Sequence, residues 1–289
     1  MSERFDQYDG WAWLYDETMG PQYAKEQLAV LERIVLPRVK AGAEMLDLCC
    51  GTGELIRPLL ERGFKVTGLD GSEEMLTRAR INAPGAEYVL EDARTYSEEN
   101  RFDAAFSTSA SLNHIPTIDD LEKVFSSVCR SLKSDGFFTF DLNHPGQLAK
   151  WWRGRPLEGE IADRWAYMVT PRYDAEQKKG VFRVRMFTRP EKTSLLGRFF
   201  SCFKSPVYRL LSKPRFIGLR LAVIRRFGWC EPGWDHREID FPVVGHDLDA
   251  VRKALERAGF HKIEMQTVEG DAEVDDNHSA HFICSKSPA

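Results

Sequence analysis

The feature that most constrains this chain is an alternation, between residues 45 and 142, of short apolar runs with amphipathic stretches of helical period. Met45–Cys49, Lys65–Leu69, Glu87–Leu90, Phe102–Ser107 and Gly136–Leu142 read as strands. Gly53–Arg62, Ser72–Ile81 and Ile118–Leu132 read as the helices between them. Ser72 is a natural N-cap, with Glu73 and Glu74 in the first turn, where they oppose the positive end of the helix dipole. Strands joined by helical crossovers run parallel, and a parallel sheet needs helices on both faces to bury it. Such sheets take their ligands at the carboxyl ends of the strands, near the point where strand order reverses.

The pattern changes character on either side. Residues 22–39 place Leu28, Leu31, Val35 and Val39 at helical spacing. After Asn143 the rhythm breaks: 161–172 and 179–189 read as two antiparallel strands joined across Asp174–Lys179. A basic stretch intervenes before a strand at His236–Val244. The helix His246–Ala258, stopped by Gly259, then leads to strands His261–Val268 and Ala280–Ser285. The expected fold class is α/β, a seven-stranded mostly parallel sheet with helices on both faces, carrying residues 144–244 as an inserted antiparallel cap.

The loop after the first strand carries the first chemistry. Gly51 and Gly53 in Asp47-Leu48-Cys49-Cys50-Gly51-Thr52-Gly53-Glu54 permit a tight turn over which a ligand can approach the backbone. A helix starting there would turn its free N–H groups toward an anionic group. Glu54, Leu55 and Ile56 follow Gly53, so the third glycine of a dinucleotide fingerprint is absent, which disfavours a nicotinamide-dependent oxidoreductase. Asp70 closes the second strand, where a carboxylate can accept both hydroxyls of a ribose. Asp92 and Ala93 follow the third, where a carboxylate and a backbone N–H can meet the edge of a base. Turn, ribose acid and base acceptor thus fall on three successive strand ends.

With these residues in place, 45–143 resembles the class I S-adenosylmethionine-dependent methyltransferases. The resemblance implies a Rossmann-like cofactor domain formed by 41–143 and 245–289, lid helices at 1–40, and the cap at 144–244 as the substrate region. It implies that Asp47, Cys49, Cys50, Gly51 and Gly53 lie under the methionine part of the cofactor, and that Asp70, with Gly71 beside it, holds the ribose. Asp92 and Ala93 would hold the adenine, Met75 would lie over its face, and Thr108 would line the site from the fourth strand. Tyr8-Asp9-Gly10-Trp11-Ala12-Trp13-Leu14-Tyr15-Asp16 is similar to the amino-terminal helix of members acting on small amines; it implies Tyr15 at the cofactor and Tyr8 at the substrate mouth as a catalytic residue. His114 resembles the histidine of sugar-amine N-methyltransferases and is the expected proton acceptor. The implied activity is methyl transfer to nitrogen or oxygen of a small-molecule acceptor. Its rivals are a non-catalytic cofactor-binding scaffold of the same fold, and a methyltransferase acting on an anionic, lipid-associated or RNA substrate.

Composition bounds the rest. No window approaches the roughly 18 apolar residues of a membrane span, and Met-Ser-Glu-Arg-Phe-Asp does not begin a secretory signal, so a cytoplasmic location is expected. Cys49, Cys50, Cys129, Cys202, Cys230 and Cys284 make no C-x-x-C pair, which indicates reduced thiols rather than zinc. His278 and His281 would diverge in a strand, so no metal is expected. Charge is uneven. Segment 192–230 holds Lys192, Arg198, Lys204, Arg209, Lys213, Arg215, Arg220, Arg225 and Arg226 and no acid, leaving −13 on the remainder of a chain of net charge −4. A solvated lid, a contact with anionic substrate or a membrane surface, and a nucleic-acid face are the three readings. Pro206 and Pro214 shorten any helix, and a pI near 6.0 without an RNA-binding motif disfavours nucleic acid.

Overall fold

The computed structural model describes residues 3–190 and 205–286. Two compact units emerge: residues 1–150 with 244–289, and residues 151–243.

The first unit begins with three helices, α1 (Glu3–Asp9), α2 (Ala12–Glu17) and α3 (Met19–Ile34). The alternating core follows: β1 (Glu44–Leu48), α4 (Ile56–Glu61), β2 (Lys65–Asp70), α5 (Glu73–Asn82), β3 (Glu87–Leu90), β4 (Phe102–Ser107), α6 (Ile118–Ser131) and β5 (Leu132–Leu142). After α7 (Pro145–Trp151) and the second unit come α11 (Leu248–Arg257), β10 (Lys262–Gln266) and β11 (Ala280–Ser285). The seven strands lie in the order β10-β11-β5-β4-β1-β2-β3. Pairing is parallel from β3 to β5, while β11 runs antiparallel to both β5 and β10. Strand order reverses between β1 and β4, which puts the switch point at the carboxyl ends of these two strands.

Period-two alternation decides which helix each strand residue meets. Leu46, Leu48, Phe138 and Phe140 face α6, whose Leu121, Val124, Phe125 and Val128 recur at helical spacing, and α11 with Val251, Ala254 and Leu255. Met45, Phe106 and Phe137 face α3 and α4 instead. Phe140 stacks across the strand pair on Phe282 at 5.0 Å, and Phe138 lies 4.9 Å from Phe140. Removing one such ring would cost about 3–5 kcal/mol.

Several boundaries move for local reasons. The helix expected from Gly53 starts at Ile56, because left-handed Gly51 (φ 55°) and Gly53 (φ 75°) hold the intervening residues in turns. The loop therefore faces a ligand with turn backbone, and not with a helix end as expected. Helix α11 starts two residues later than expected because Asp247 caps it, accepting Ala250 N–H. The expected 22–39 helix ends at Ile34, and Pro37 lies in a short 3-10 turn, Leu36–Arg38. Strand β5 begins at Leu132 rather than Gly136: Leu132 pairs with Phe102, then the register jumps so that Phe137 pairs with Ala104. Residues 134–136 lie inside that irregularity.

The second unit holds a four-stranded sheet in the order β6-β7-β8-β9, formed by Glu158–Ile161, Trp165–Asp174, Lys179–Thr188 and Asp235–Val244. The expected hairpin appears with Asp174 opposite Lys179, its carboxylate accepting the N–H groups of Glu176 and Gln177. Strand β6 splits from β7 where Ala162 N–H bonds the Trp165 carbonyl, a break the sequence pattern does not announce. Residues 205–211 form α8, followed by α9 (Ile217–Arg225) and α10 (Phe227–Cys230). Their inward Tyr208, Leu211, Ile224 and Phe227 join Ile161, Ala166, Met168 and Phe187 in a core of this unit's own. Of the basic segment, Lys192, Arg198 and Lys204 lie outside the described residues. No described helix is long and apolar enough to cross a membrane.

Candidate functional site

The site is built at the carboxyl ends of β1, β2 and β4. At β1 the chain turns through Cys49 (φ 62°) into Gly51 and Gly53, and Cys50 N–H ties the turn to the Leu69 carbonyl of β2 at 3.0 Å. Gly53 is required twice over. Its φ of 75° is left-handed, and a Cβ there would lie 2.9 Å from that of Ala79 on α5. Burial, with Asp70 and Asp47 nearby, pushes the Cys50 thiol well above its ordinary range, so it is an inert filler.

Asp70 organises the turn. Its two carboxylate oxygens accept Gly51 N–H and Ser72 N–H, each at 2.9 Å, and so join the β1 loop to the start of α5. Ser72 caps α5 by accepting the N–H of Met75, itself buried. Burial raises the pKa of Asp70 against the pull of these N–H donors. Asp47, also buried, is raised well above the ordinary carboxylate range by burial and then by Asp70. Glu54 is raised to about 7 by burial, with the Asp16 carboxyl adding to the rise, although its Oε2 accepts the Thr52 hydroxyl at 2.5 Å. None of these three acids forms an ion pair with a described residue. Asp47 is buried and Glu54 and Asp70 are partly buried, and three such carboxyl groups without cations form an acidic wall that favours positive charge.

The amino-terminal helices lie over this wall. A Cβ on Gly71 would fall 2.3 Å from the Phe5 ring of α1. Asp9 accepts the Ser72 hydroxyl at 2.5 Å and Glu74 N–H at 3.3 Å, and Asp16 bonds Arg78 at 2.8 Å and Asn82 at 2.6 Å. Asn82 in turn donates to the Thr52 carbonyl. Tyr15 is partly buried: its ring lies 5.2 Å from Trp11, and its Cε1 would be 3.7 Å from a Cβ on Gly51. Burial and the nearby carboxyls keep its hydroxyl protonated.

The expected residues thus divide. Tyr15, Asp47, Cys49, Cys50, Gly51, Gly53, Asp70, Gly71 and Met75 come together around the β1 loop. Asp92 and Ala93 follow β3, tied in by the Glu91 N–H bond to Asp70 O; both Asp92 oxygens hold the Arg94 guanidinium, at 2.5–3.0 Å. Tyr8 and His114 meet in an edge-on ring contact of 5.9 Å, away from that loop on the β4 side. Thr108 accepts the Ser111 hydroxyl through its carbonyl and lines a narrow cavity with Gln27, Ser107, Asp141 and His281.

Sequence reasoning missed what holds the β4 loop. Ser109 (φ 59°) and Ala110 (φ 55°) are consecutive left-handed residues without the freedom of glycine. Asp141, buried at the end of β5, accepts Ala110 N–H at 2.9 Å and sits opposite His281 in the strand register. Burial raises Asp141 and lowers His281, each partly countered by the other. Asn113 donates to the carbonyls of Asn143 and Val244 and accepts Asn143 N–H, closing the loop. The available signal was the polar face Thr139, Asp141 alternating with Phe138, Phe140, Leu142. His278 bonds Asp275 at 2.6 Å, and no cluster fit to hold a metal occurs among the described residues.

The fold is a Rossmann-like domain whose strand order reverses beside the β1 loop. Residues 45–136 match a family model described as a methyltransferase domain. A Bacillus subtilis (strain 168) protein described as the methyltransferase YqeM is 35% identical over 147 residues, covering 50% of this chain and 58% of that protein. The dTDP-3-amino-3,4,6-trideoxy-alpha-D-glucopyranose N,N-dimethyltransferase of Streptomyces venezuelae is 26% identical over 155 residues, covering 54% of this chain and 60% of the enzyme. The chain thus spans little more than half the length of these curated relatives. A solved S-adenosylmethionine-dependent methyltransferase from Clostridium acetobutylicum superposes with a TM-score of 0.69 over 97% of this chain and 99% of its own, at 16% identity. That likeness is one of fold.

Proposed function

We propose that this protein is an S-adenosylmethionine-dependent methyltransferase acting on an amine nitrogen of a small molecule, of the amino-sugar type its Streptomyces relative methylates. The observation that carries the cofactor is the uncompensated acidic wall of Asp47, Glu54 and Asp70 around a turn whose Gly51 and Gly53 leave backbone open. A sulfonium and an ammonium suit that wall, whereas the pyrophosphate of a dinucleotide would be repelled by it. Asp70 would hold the ribose and Asp92 with Ala93 the adenine edge, Met75 covering the base.

When bound, the cofactor supplies an activated methyl group. The chain's own residues then have to align the nucleophile with it and exclude water. Tyr15, Trp11 and Phe5 keep water from the β1 loop, and the strained β4 loop presents His114 against Tyr8 to take the acceptor's proton. The acceptor nitrogen rather than oxygen follows from the relative and from the modest basicity of an imidazole.

The test has two arms. S-adenosylhomocysteine, and not NAD, is expected to raise the melting temperature; the reverse result sinks the cofactor reading. Labelled methyl donor offered with a panel of amino-sugar nucleotides is expected to yield N-methylated product by mass spectrometry. Cofactor binding with no turnover on any amine or hydroxyl acceptor would leave the scaffold reading in its place.

A further inference from the structure

The outward face of residues 205–230 combines two features that the methyltransferase reading does not use. Nine large apolar side chains are exposed among the described residues, and five of them fall here: Val207, Leu210, Ile217, Leu219 and Trp229, the last 93% exposed. Isolated exposed leucines are ordinary, but a concentration of them marks a contact surface. None is needed by the core of its own unit. In α8 the inward positions are Tyr208 and Leu211, and the α9–α10 turn is anchored by Ile224 and Phe227. The piece is further fastened by the Tyr208 hydroxyl on Glu231 and the Ser212 hydroxyl on the Ile161 carbonyl.

The charge beside these side chains is of one sign. Arg209, Lys213, Arg215, Arg220, Arg225 and Arg226 fall in the same stretch, which contains no acid. Arg209 approaches Asp163 at 3.6 Å and Arg220 bonds the Leu211 carbonyl, but Lys213, Arg215, Arg225 and Arg226 make no ion pair with a described residue. On α9 and its continuation, Leu219, Ala222 and Arg226 share one side, at helical spacing of three and four residues.

We propose that this face docks the protein on the surface of a bilayer rich in anionic lipid. Aliphatic side chains and an exposed indole seat at the boundary between headgroups and acyl chains, and the arginines meet the phosphates. Pro206 and Pro214 divide the segment, so it lies as short pieces on the surface rather than entering as one helix. A second copy of this chain would set arginine against arginine, and its charge opposes that pairing. A nucleic acid would need stacking aromatics, and four of the five outward apolar side chains are aliphatic.

The test is co-sedimentation of the whole protein with vesicles of phosphatidylcholine containing phosphatidylglycerol, against phosphatidylcholine alone. Binding is expected only to the anionic vesicles and should weaken as salt rises. Arg225→Gln with Arg226→Gln should lower the partition coefficient about 25-fold, from about fivefold for each cation near the surface. Trp229→Ser, on a fully exposed position, should lower it about tenfold. Both variants should retain wild-type circular dichroism and S-adenosylhomocysteine binding, since neither position belongs to the first unit. Failure to bind anionic vesicles overturns the proposal, as does equal, salt-insensitive binding to both vesicle types. Binding of RNA or an acidic polypeptide in place of vesicles, or concentration-dependent self-association abolished by Trp229→Ser, would overturn it equally.

Discussion

Asp70 ties the β1 loop to the start of α5 with one carboxylate, the same group that the proposed function gives to the ribose. Hydrogen bonds to a charged acceptor contribute about 1.5–3 kcal/mol each. Asp70→Ala orphans two N–H groups and removes the ribose acceptor, so S-adenosylhomocysteine affinity should fall by about 100-fold or more. Isothermal titration would read this, and a loss below threefold would contradict the assignment. Asp141 acts at one remove. Left-handed non-glycine residues cost about 1–2 kcal/mol each, and Asp141 helps hold two in succession by accepting Ala110 N–H. Asp141→Ala should therefore speed amide hydrogen exchange across 107–114 about tenfold or more while leaving the Gly51–Asp70 region protected. Asp141→Asn, which keeps a carbonyl acceptor, should restore protection. Unchanged exchange in the alanine variant would remove Asp141 as the residue that positions the His114 loop.

At the scale of elements, the first unit's sheet was legible because its signals are local. Apolar runs, the Ser72 cap and the Gly259 stop each declare a boundary, and the structure keeps all three. The start of α4 was misread because glycine permits a left-handed turn without announcing one; only the conformation shows that Gly51 and Gly53 use it. The Asp9 and Asp16 contacts were not legible at all, since they join residues more than sixty positions apart. Sequence pattern pointed to the aromatics of residues 8–16, but the polar latches are the acids Asp9 and Asp16 beside them. Asp9 holds the amino end of α5, and Asp16 holds its far end through Arg78 and Asn82. A single partly buried ion pair contributes little, but two latches act on one element. Asp9→Ala with Asp16→Ala should loosen α1 and α2 and speed S-adenosylhomocysteine release about tenfold or more, from about 0.7–1.5 kcal/mol for each latch. Stopped-flow fluorescence of the aromatic cluster would follow it. Release at the wild-type rate would mean that these helices do not cover the ligand.

For the whole molecule, the buried acids make stability a function of pH with a definite sign. Asp47, Glu54, Asp70 and Asp141 all have carboxyl groups raised by burial, so the folded state holds protons that the unfolded chain would release. A raised acid contributes its stability fully below the unfolded pKa and loses it as pH rises through the folded value. For Glu54 that window runs from its ordinary 4.5 to about 7. One pKa unit corresponds to 1.36 kcal/mol, so the ligand-free protein should lose up to about 3 kcal/mol from this group between the two limits. Urea unfolding across this range should show the slope, and Glu54→Gln should flatten much of it. The same linkage bears on the cofactor. A cation placed against the wall lowers these pKa values, so S-adenosylmethionine should bind more tightly at pH 8 than at pH 6 and release protons on binding near pH 7. Calorimetry in two buffers of different ionisation enthalpy measures that release directly. If the two heats agree, and affinity is flat across the range, Glu54 does not face the ligand's positive charge. The acidic wall would then be an element of folding alone.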